Sequence, residues 1–188
     1  MAETSVAPTT SATSRLLVAA LVGGAVAVAL GVYAEVHDPT GEQPYQLFFT
    51  GTIQLKAWFA SVAVVLALFQ LGSSLRLYGK VGDPDTAPSW LGDAHRLSGT
   101  LAFLFTLPVA YHCLWALGFS DLDTRTTLHS LFGCFFYGAF AAKMVVVRSS
   151  GLPGWALPVA GGLLLVGLVA VWLTSSLWFF TSSGLPAF

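Results

Sequence analysis

The chain has 188 residues, of which 55% are hydrophobic and 9% are charged, and its formal net charge at pH 7 is −1. This composition is too apolar for an ordinary soluble domain and predicts an integral membrane protein. The sequence shows neither a basic excess nor a recognisable nucleic-acid-binding motif, so we expect no nucleic-acid partner.

Five stretches are long and apolar enough to cross a bilayer as helices, which takes about 20 residues each. The first exceeds the roughly 7–15-residue core of a signal peptide, so we expect it to be retained. We therefore predict an all-α integral membrane helical bundle of five transmembrane helices in contact with the lipid bilayer. The predicted spans are 16–36, 52–77, 91–118, 126–147 and 154–180, within a transmembrane domain at 15–181 that follows a disordered tail at 1–14 and precedes a C-terminal tail at 182–188.

Local features of the spans predict how the helices pack and bend. On the first span, the small residues Gly23, Gly24 and Gly31 allow another helix to approach closely. On the third, Pro108 removes a backbone hydrogen bond and is expected to kink the helix one turn before His112. An acidic segment just before the fourth span favours a helix start there.

The lysines and arginines predict the orientation of the bundle, because cytoplasmic segments carry an excess of these residues. With the N-terminus inside, six of the eight lie toward the inner ends of the spans. We therefore predict an N-in, C-out topology, in the bacterial cytoplasmic membrane. The inner residues are Arg15, Arg76, Lys80, Arg96, Lys143 and Arg148, and the outer residues are Lys56 and Arg125.

Two histidines lie inside the third and fourth spans, where polar side chains are costly and usually functional. His112 and His129 are equally far from a bend between Ser120 and Asp121, so an antiparallel hairpin places them at the same membrane depth. A single membrane histidine is often only an interhelical hydrogen-bonding residue. A level pair on consecutive helices instead predicts the two axial ligands of a haem b.

The residues around this pair match the needs of a haem. Ala116 and Gly133 follow the two histidines by one helical turn, on the same faces, and leave room for a flat ligand. Arg125 and Lys56 lie at the same side of the membrane and could neutralise the propionates. Ordinary packing is the alternative explanation for the nearby aromatic residues that could form the walls, which are Phe105, Phe132, Phe135, Phe136 and Tyr137.

A second haem is an open alternative at the inner end of the third span. His95 lies about 25 Å along the helix from His112, so the two cannot share one haem. Gly99 follows His95 by one turn, and Met144 is the nearest candidate for the opposite axial ligand. A copper or zinc site from His112, Cys113 and His129 is the competing metal hypothesis, but adjacent helical residues point about 100° apart.

Two resemblances follow from short stretches of the chain. LHSLFG at 128–133 resembles the His-Ser-x-x-Gly haem-ligand motif of the ascorbate-reducible transmembrane cytochromes b, and AHRLSG at 94–99 is similar to their other His-x-x-x-Gly helices. This resemblance implies haem b, transmembrane electron transfer and axial roles for His129 and His95. The two-haem members of that family place four ligands on four helices, whereas the second and fifth spans here contain no histidine.

Almost the whole chain also resembles an uncharacterised family of bacterial multi-pass membrane proteins, which implies no activity. The stretches that carry this likeness are VHDPTG at 36–41, LPVAYHCLWALG at 107–118, GCFFYGAFAAK at 133–143 and PGWALPVAGG at 153–162.

We therefore expect a membrane b-type cytochrome-like protein that passes electrons between a quinone or a redox partner protein and an acceptor. We assign no catalytic residue, because an electron-transfer subunit fits these features better than a self-sufficient oxidoreductase does. The alternatives are a haem-free subunit or assembly protein of a redox complex and a transporter. A transporter is the less favoured of these, because no mid-span acid marks a substrate path.

Overall fold

The computed structural model describes residues 11–43 and 45–184 of the chain. Within these residues the regular structure is entirely helical, and five helical spans are long and apolar enough to cross a membrane. The prediction of an all-α fold with five such helices is therefore confirmed. The helices are α1 (Ala12–Val36), α2 (Thr52–Leu77), α3 (Leu91–Tyr111), α4 (Thr124–Arg148), α5 (Ala156–Trp172) and α6 (Trp178–Ser183).

Two spans contain a π-helical turn, which the sequence did not predict. The segment His112–Leu117 continues α3, and Leu173–Leu177 joins α5 to α6. The first begins four residues after Pro108, where we predicted a kink. Such turns are rare and occur often at functional sites.

The ends of the chain differ from the predicted boundaries. Helix α1 begins at Ala12, and the side chain of Ser11 caps it by accepting a hydrogen bond from the Ser14 amide at 3.2 Å. Residues 1–10 of the predicted tail lie outside the described residues. At the other end, α6 continues to Ser183, and 185–188 lie outside them as well.

A capping box starts α4, in agreement with the acidic segment in the sequence. The Asp123 carboxylate accepts a hydrogen bond from the Thr126 amide at 2.7 Å, and the Thr126 hydroxyl accepts one from the Asp123 amide at 3.1 Å. The first of these bonds is the main reason that the pKa of the Asp123 carboxyl lies below its usual value. The cap fixes the helix start at Thr124, one residue before Arg125.

Helix α1 packs closely along α4, and glycines make this approach possible. A Cβ atom added to Gly23 would lie 2.7 Å from the Gly138 carbonyl oxygen, and one added to Gly138 would lie 2.5 Å from that of Gly23. The predicted close packing at Gly23 is thereby confirmed. Among residues 11–43 and 45–184, none places an atom of another element within 4 Å of the Cβ position of Gly24.

The consecutive helices α3 and α4 pack mainly on other helices and not on each other. Helix α3 packs mainly on α2, and helix α4 packs most extensively on α1. Aromatic side chains bridge them at mid-height. Phe103 and Phe140 stack with ring centroids 3.7 Å apart, and the Tyr137 hydroxyl donates to the Thr106 carbonyl at 3.0 Å. Between this aromatic layer and the connection of α3 to α4, a space separates the two helices.

Contacts between connections define the two ends of the bundle. At one end, Arg15 donates a hydrogen bond to the Ser150 hydroxyl at 3.1 Å, so the start of α1 meets the connection between α4 and α5. At the other end, the Phe119 amide donates to the Ala34 carbonyl at 2.8 Å and the Gly41 amide donates to the Ala116 carbonyl at 3.0 Å.

The predicted orientation places the exposed Ser150 in the cytoplasm. In a Ser150→Cys variant, a membrane-impermeant maleimide should label the new thiol only after the cells are opened. Leu122, which is 90% exposed at the opposite end, provides the matched control, and Leu122→Cys should be labelled in intact cells. Labelling of Ser150→Cys in intact cells, with Leu122→Cys labelled only after the cells are opened, would show that the bundle has the opposite orientation.

Candidate functional site

The open part of the hairpin contains a cavity of about 430 Å3. It lies between the π-helical segment after α3, the first half of α4, and the α5–α6 junction, with part of α2 as a further wall. Most of the lining is apolar, and within the described residues it includes no aspartate or glutamate. The polar side chains that border it include Lys56, Cys113, Arg125 and His129.

His129 is held in an orientation that suits a metal ligand. Its Nδ1 lies 3.2 Å from the Thr174 hydroxyl oxygen, and that hydroxyl donates its own proton to the Ala170 carbonyl at 2.8 Å. Since a hydroxyl has a single proton to donate, we assign the donor role to His129 Nδ1. In the neutral ring, Nε2 then carries the free lone pair.

Thr174 also positions Arg125, so one residue of the second π-helical segment organises two side chains of the cavity. The Arg125 guanidinium donates to the Thr174 carbonyl at 2.9 Å and lies over the Trp178 ring, 4.0 Å from its centroid. It also forms an ion pair with Asp123 at 3.9 Å. Thr174 was not predicted as a site residue; the run Thr-Ser-Ser inside an otherwise apolar span is the signal in the sequence that points to it.

The Cys113 side chain lies among basic groups at the cavity wall. Lys56 Nζ is 3.7 Å from Cys113 Sγ. The imidazoles of His112 and His129 also interact with this thiol. The two histidines that were predicted to form a level pair are therefore both close to one sulfur atom.

His112 does not border the cavity, although Cys113 does. His112 is only 6% exposed, and within the described residues its Nδ1 is buried without a hydrogen-bond partner. Ala116, which was predicted to face the same ligand, is 2% exposed and also lies outside the lining. Its carbonyl is instead the acceptor for the Gly41 amide.

The remaining residues of the predicted outer site do converge on the cavity. Gly133 borders it, and no described atom of another element lies within 4 Å of its Cβ position, so its face is open among the described residues. Lys56 and Arg125 supply two cationic groups to the same space. The structure thus brings together four predicted residues: Lys56, Arg125, His129 and Gly133.

The inner end of the hairpin is occupied by protein side chains. His95 Nδ1 lies 2.7 Å from the Ser73 hydroxyl, and the Gln70 amide donates to the Ser98 hydroxyl at 2.8 Å. The Gln70 amide also lies 3.0 Å from the Cβ position of Gly99, so it fills the face that was expected to be open. Lys143, next to Met144 in sequence, is the α4 residue whose charge acts on His95; an axial role for Met144 stays a prediction.

Four of the five aromatic residues expected as walls have other roles. Phe136 packs in a core cluster with Ala63 and Leu168. Phe105 packs edge-on against Phe59, with ring centroids 5.1 Å apart. Phe132 and Phe135 lie edge-on to each other, 6.3 Å apart. Tyr137 alone of the five borders the cavity, so the packing explanation holds for the others.

His37 also has a structural role. It lies between the rings of Tyr33 and Trp115, with centroid distances of 5.0 and 4.6 Å, and its Nε2 is 3.1 Å from the Trp115 carbonyl. It therefore joins the end of α1 to the π-helical segment that carries Cys113.

Within residues 11–43 and 45–184, no three histidine, cysteine or acidic side chains are grouped as they would be around a metal ion. A haem iron needs only two protein ligands, because the porphyrin supplies the rest.

Neither the curated proteins nor the solved structures include one that matches this chain. Residues 16–187 match the model of a family of unknown function, DUF6529. The matched region includes the cavity, both π-helical segments and nearly all of the five spans. The chain therefore belongs to this family.

Proposed function

We propose that the chain is a membrane electron-transfer protein, similar to a b-type cytochrome, that binds one haem b in the cavity. The observation that carries this proposal is the convergence of His129, Lys56, Arg125 and Gly133 on one apolar space. These residues lie on two helices and were selected from the sequence for the same ligand. The His-Ser-x-x-Gly pattern that starts at His129 adds support through its resemblance to the ascorbate-reducible cytochromes b.

The volume of the cavity, the open face at Gly133 and the charges of the lining support haem as the ligand. A volume of about 430 Å3 is within the range of small-molecule and cofactor sites. The open face of Gly133 gives a flat ring access to the α4 backbone. Two cationic side chains match two propionate groups in number, and the described lining contains no acidic side chain. Arg125 also pairs with Asp123, outside the lining, at 3.9 Å.

Each side chain would have a distinct task around the bound group. His129 would bind iron through Nε2, while Thr174 holds the ring orientation through Nδ1, as outer hydrogen bonds do for most metal-bound histidines. Arg125 and Lys56 would neutralise carboxylates, and the apolar walls would limit access of water. Bound haem supplies one-electron chemistry between ferrous and ferric iron.

The electron donor and acceptor lie outside the chain in this proposal. We propose a quinol or a redox partner protein as donor, in a bacterial cytoplasmic membrane, with the chain acting as a subunit more than as a complete oxidoreductase. The basis is that the described lining of the cavity contains no carboxylate that could exchange protons with a substrate.

The same cavity supports one alternative, a haem-free subunit of a redox complex that binds a quinone. The Lys56 ammonium could donate to a quinone carbonyl. His129 Nε2, however, carries a lone pair and can only accept, which suits a quinol hydroxyl or a metal ion. The tautomer therefore favours haem over an oxidised quinone.

A visible absorption spectrum of the purified protein separates the two candidates. After expression with adequate haem supply, we expect a Soret band and a sharp α band on reduction with dithionite. A featureless spectrum in both redox states, with quinone in the organic extract, would instead establish the haem-free alternative.

A further inference from the structure

We propose that the second axial ligand, opposite His129, is the sulfur of Cys113 and not the imidazole of His112. This assignment rests on the proposed haem site and gives it a histidine–thiolate ligand set. The sequence pointed to two histidines because of their matched depth. The structure places a different side chain of the same helical turn at the cavity.

Cys113 reaches the cavity, whereas His112 does not. Cys113 and His129 both border the cavity, and their side chains are close enough to interact. His112 precedes Cys113 in the chain, is almost fully buried and does not border the cavity. Successive residues of a helix point in different directions. Cys113 faces the cavity and His112 does not, although both imidazoles lie near the Cys113 sulfur.

The surroundings of the sulfur favour a metal-bound thiolate. Lys56 Nζ lies 3.7 Å from Sγ and would offset the negative charge in this apolar space. Binding breaks the S–H bond and forms an Fe–S bond, with release of the proton to water and no transfer of electrons. No acidic side chain in the described lining competes for the Lys56 ammonium.

This ligand set has a spectroscopic signature that does not depend on activity. Thiolate ligation pushes electron density onto the iron, and it shifts the Soret band of low-spin ferric haem to the red of the band of a bis-histidine haem. The ferric protein keeps both of its ligands, so no ligand has to leave for this measurement. The wild-type protein reconstituted with haemin should therefore show the red-shifted band in the ferric state.

Cys113→Ser should lose the red-shifted band, and Cys113→Ala provides the same test if the serine variant is not monodisperse. Cys134 gives a matched control, because it also borders the cavity but its sulfur lies 3.8 Å from the Cβ position of Gly31 on α1. Cys134→Ser should keep the band. His112→Ala should keep it as well.

Two results would overturn the assignment in different ways. If the wild-type protein binds haem with a bis-histidine ferric spectrum that Cys113→Ser leaves unchanged, the sulfur of Cys113 is not the ligand and only this inference fails; loss of that low-spin spectrum in His112→Ala would then identify His112 as the ligand. If the wild-type protein binds no haem after reconstitution, the proposed function fails together with the inference.

Discussion

Alanine in place of His129 is expected to remove the low-spin haem spectrum and to lower haem occupancy by at least about tenfold. The iron loses the nitrogen ligand whose orientation is fixed by Thr174. Haem content per protein, measured as the pyridine haemochrome, and the ferric absorption spectrum check this. Thr174→Val keeps the side-chain shape without the hydroxyl, and loss of such an outer hydrogen bond weakens metal affinity by about 10–100-fold.

His95→Ala is the control for this prediction, because His95 lies at the other end of the bundle beside Ser73. It should leave the haem content unchanged. Gly133→Leu should expel the haem without altering a ligand, since the new side chain would occupy the open face of α4. Full occupancy with an unchanged low-spin spectrum in His129→Ala would refute the site.

Valine in place of Gly23 is expected to destabilise the bundle more than any other single change at a glycine of α1. Its Cβ would lie 2.7 Å from the Gly138 carbonyl oxygen and 2.9 Å from the Ala142 Cβ atom. Overpacking typically costs about 1–3 kcal/mol. A clash with backbone is hard to relieve, so we expect a loss of about 3 kcal/mol or more in the free energy of unfolding.

Gly24→Val is the matched control, because it makes the same chemical change one residue away in open space. Its effect should stay within about 0.5 kcal/mol. Thermal unfolding of both variants in detergent, followed by circular dichroism, provides the comparison. Equal melting temperatures for the two variants would show that α1 does not pack on α4 through Gly23.

The number and approximate limits of the helices could be predicted because each span must be apolar over a fixed length. The predicted stretch 52–77 coincides with α2, and the others differ from the observed helices by a few residues. The pairing of helices could not be predicted in this way. Gly23 indicates that some helix approaches closely, but nothing in its own span identifies Gly138 as the partner.

The part of the site that lies on one helix could be predicted, and the part that depends on contacts between helices could not. Spacing along one helix indicated that Gly133 and His129 share a face, and the structure places both at the cavity. The directions in which the Cys113 and His112 side chains point depend on a π-helical turn. Such a turn is defined by its backbone hydrogen bonds and could not be predicted from the residue types. Thr174 lies on a distant span, and its contact with His129 exists only once the helices are packed.

The aromatic layer formed by Phe103, Phe140 and Tyr137 has an electrical consequence for the proposed carrier. Phe103 and Phe140 lie deeper between α3 and α4 than any residue of these helices that borders the cavity, so the cavity occupies only the end of the bundle where the two helices are connected. An electron that enters and leaves by that end crosses little of the transmembrane voltage, which acts on a full crossing with about 2.3 kcal/mol per 100 mV. Turnover at this site would therefore be electrically silent: it would neither consume nor build the membrane potential.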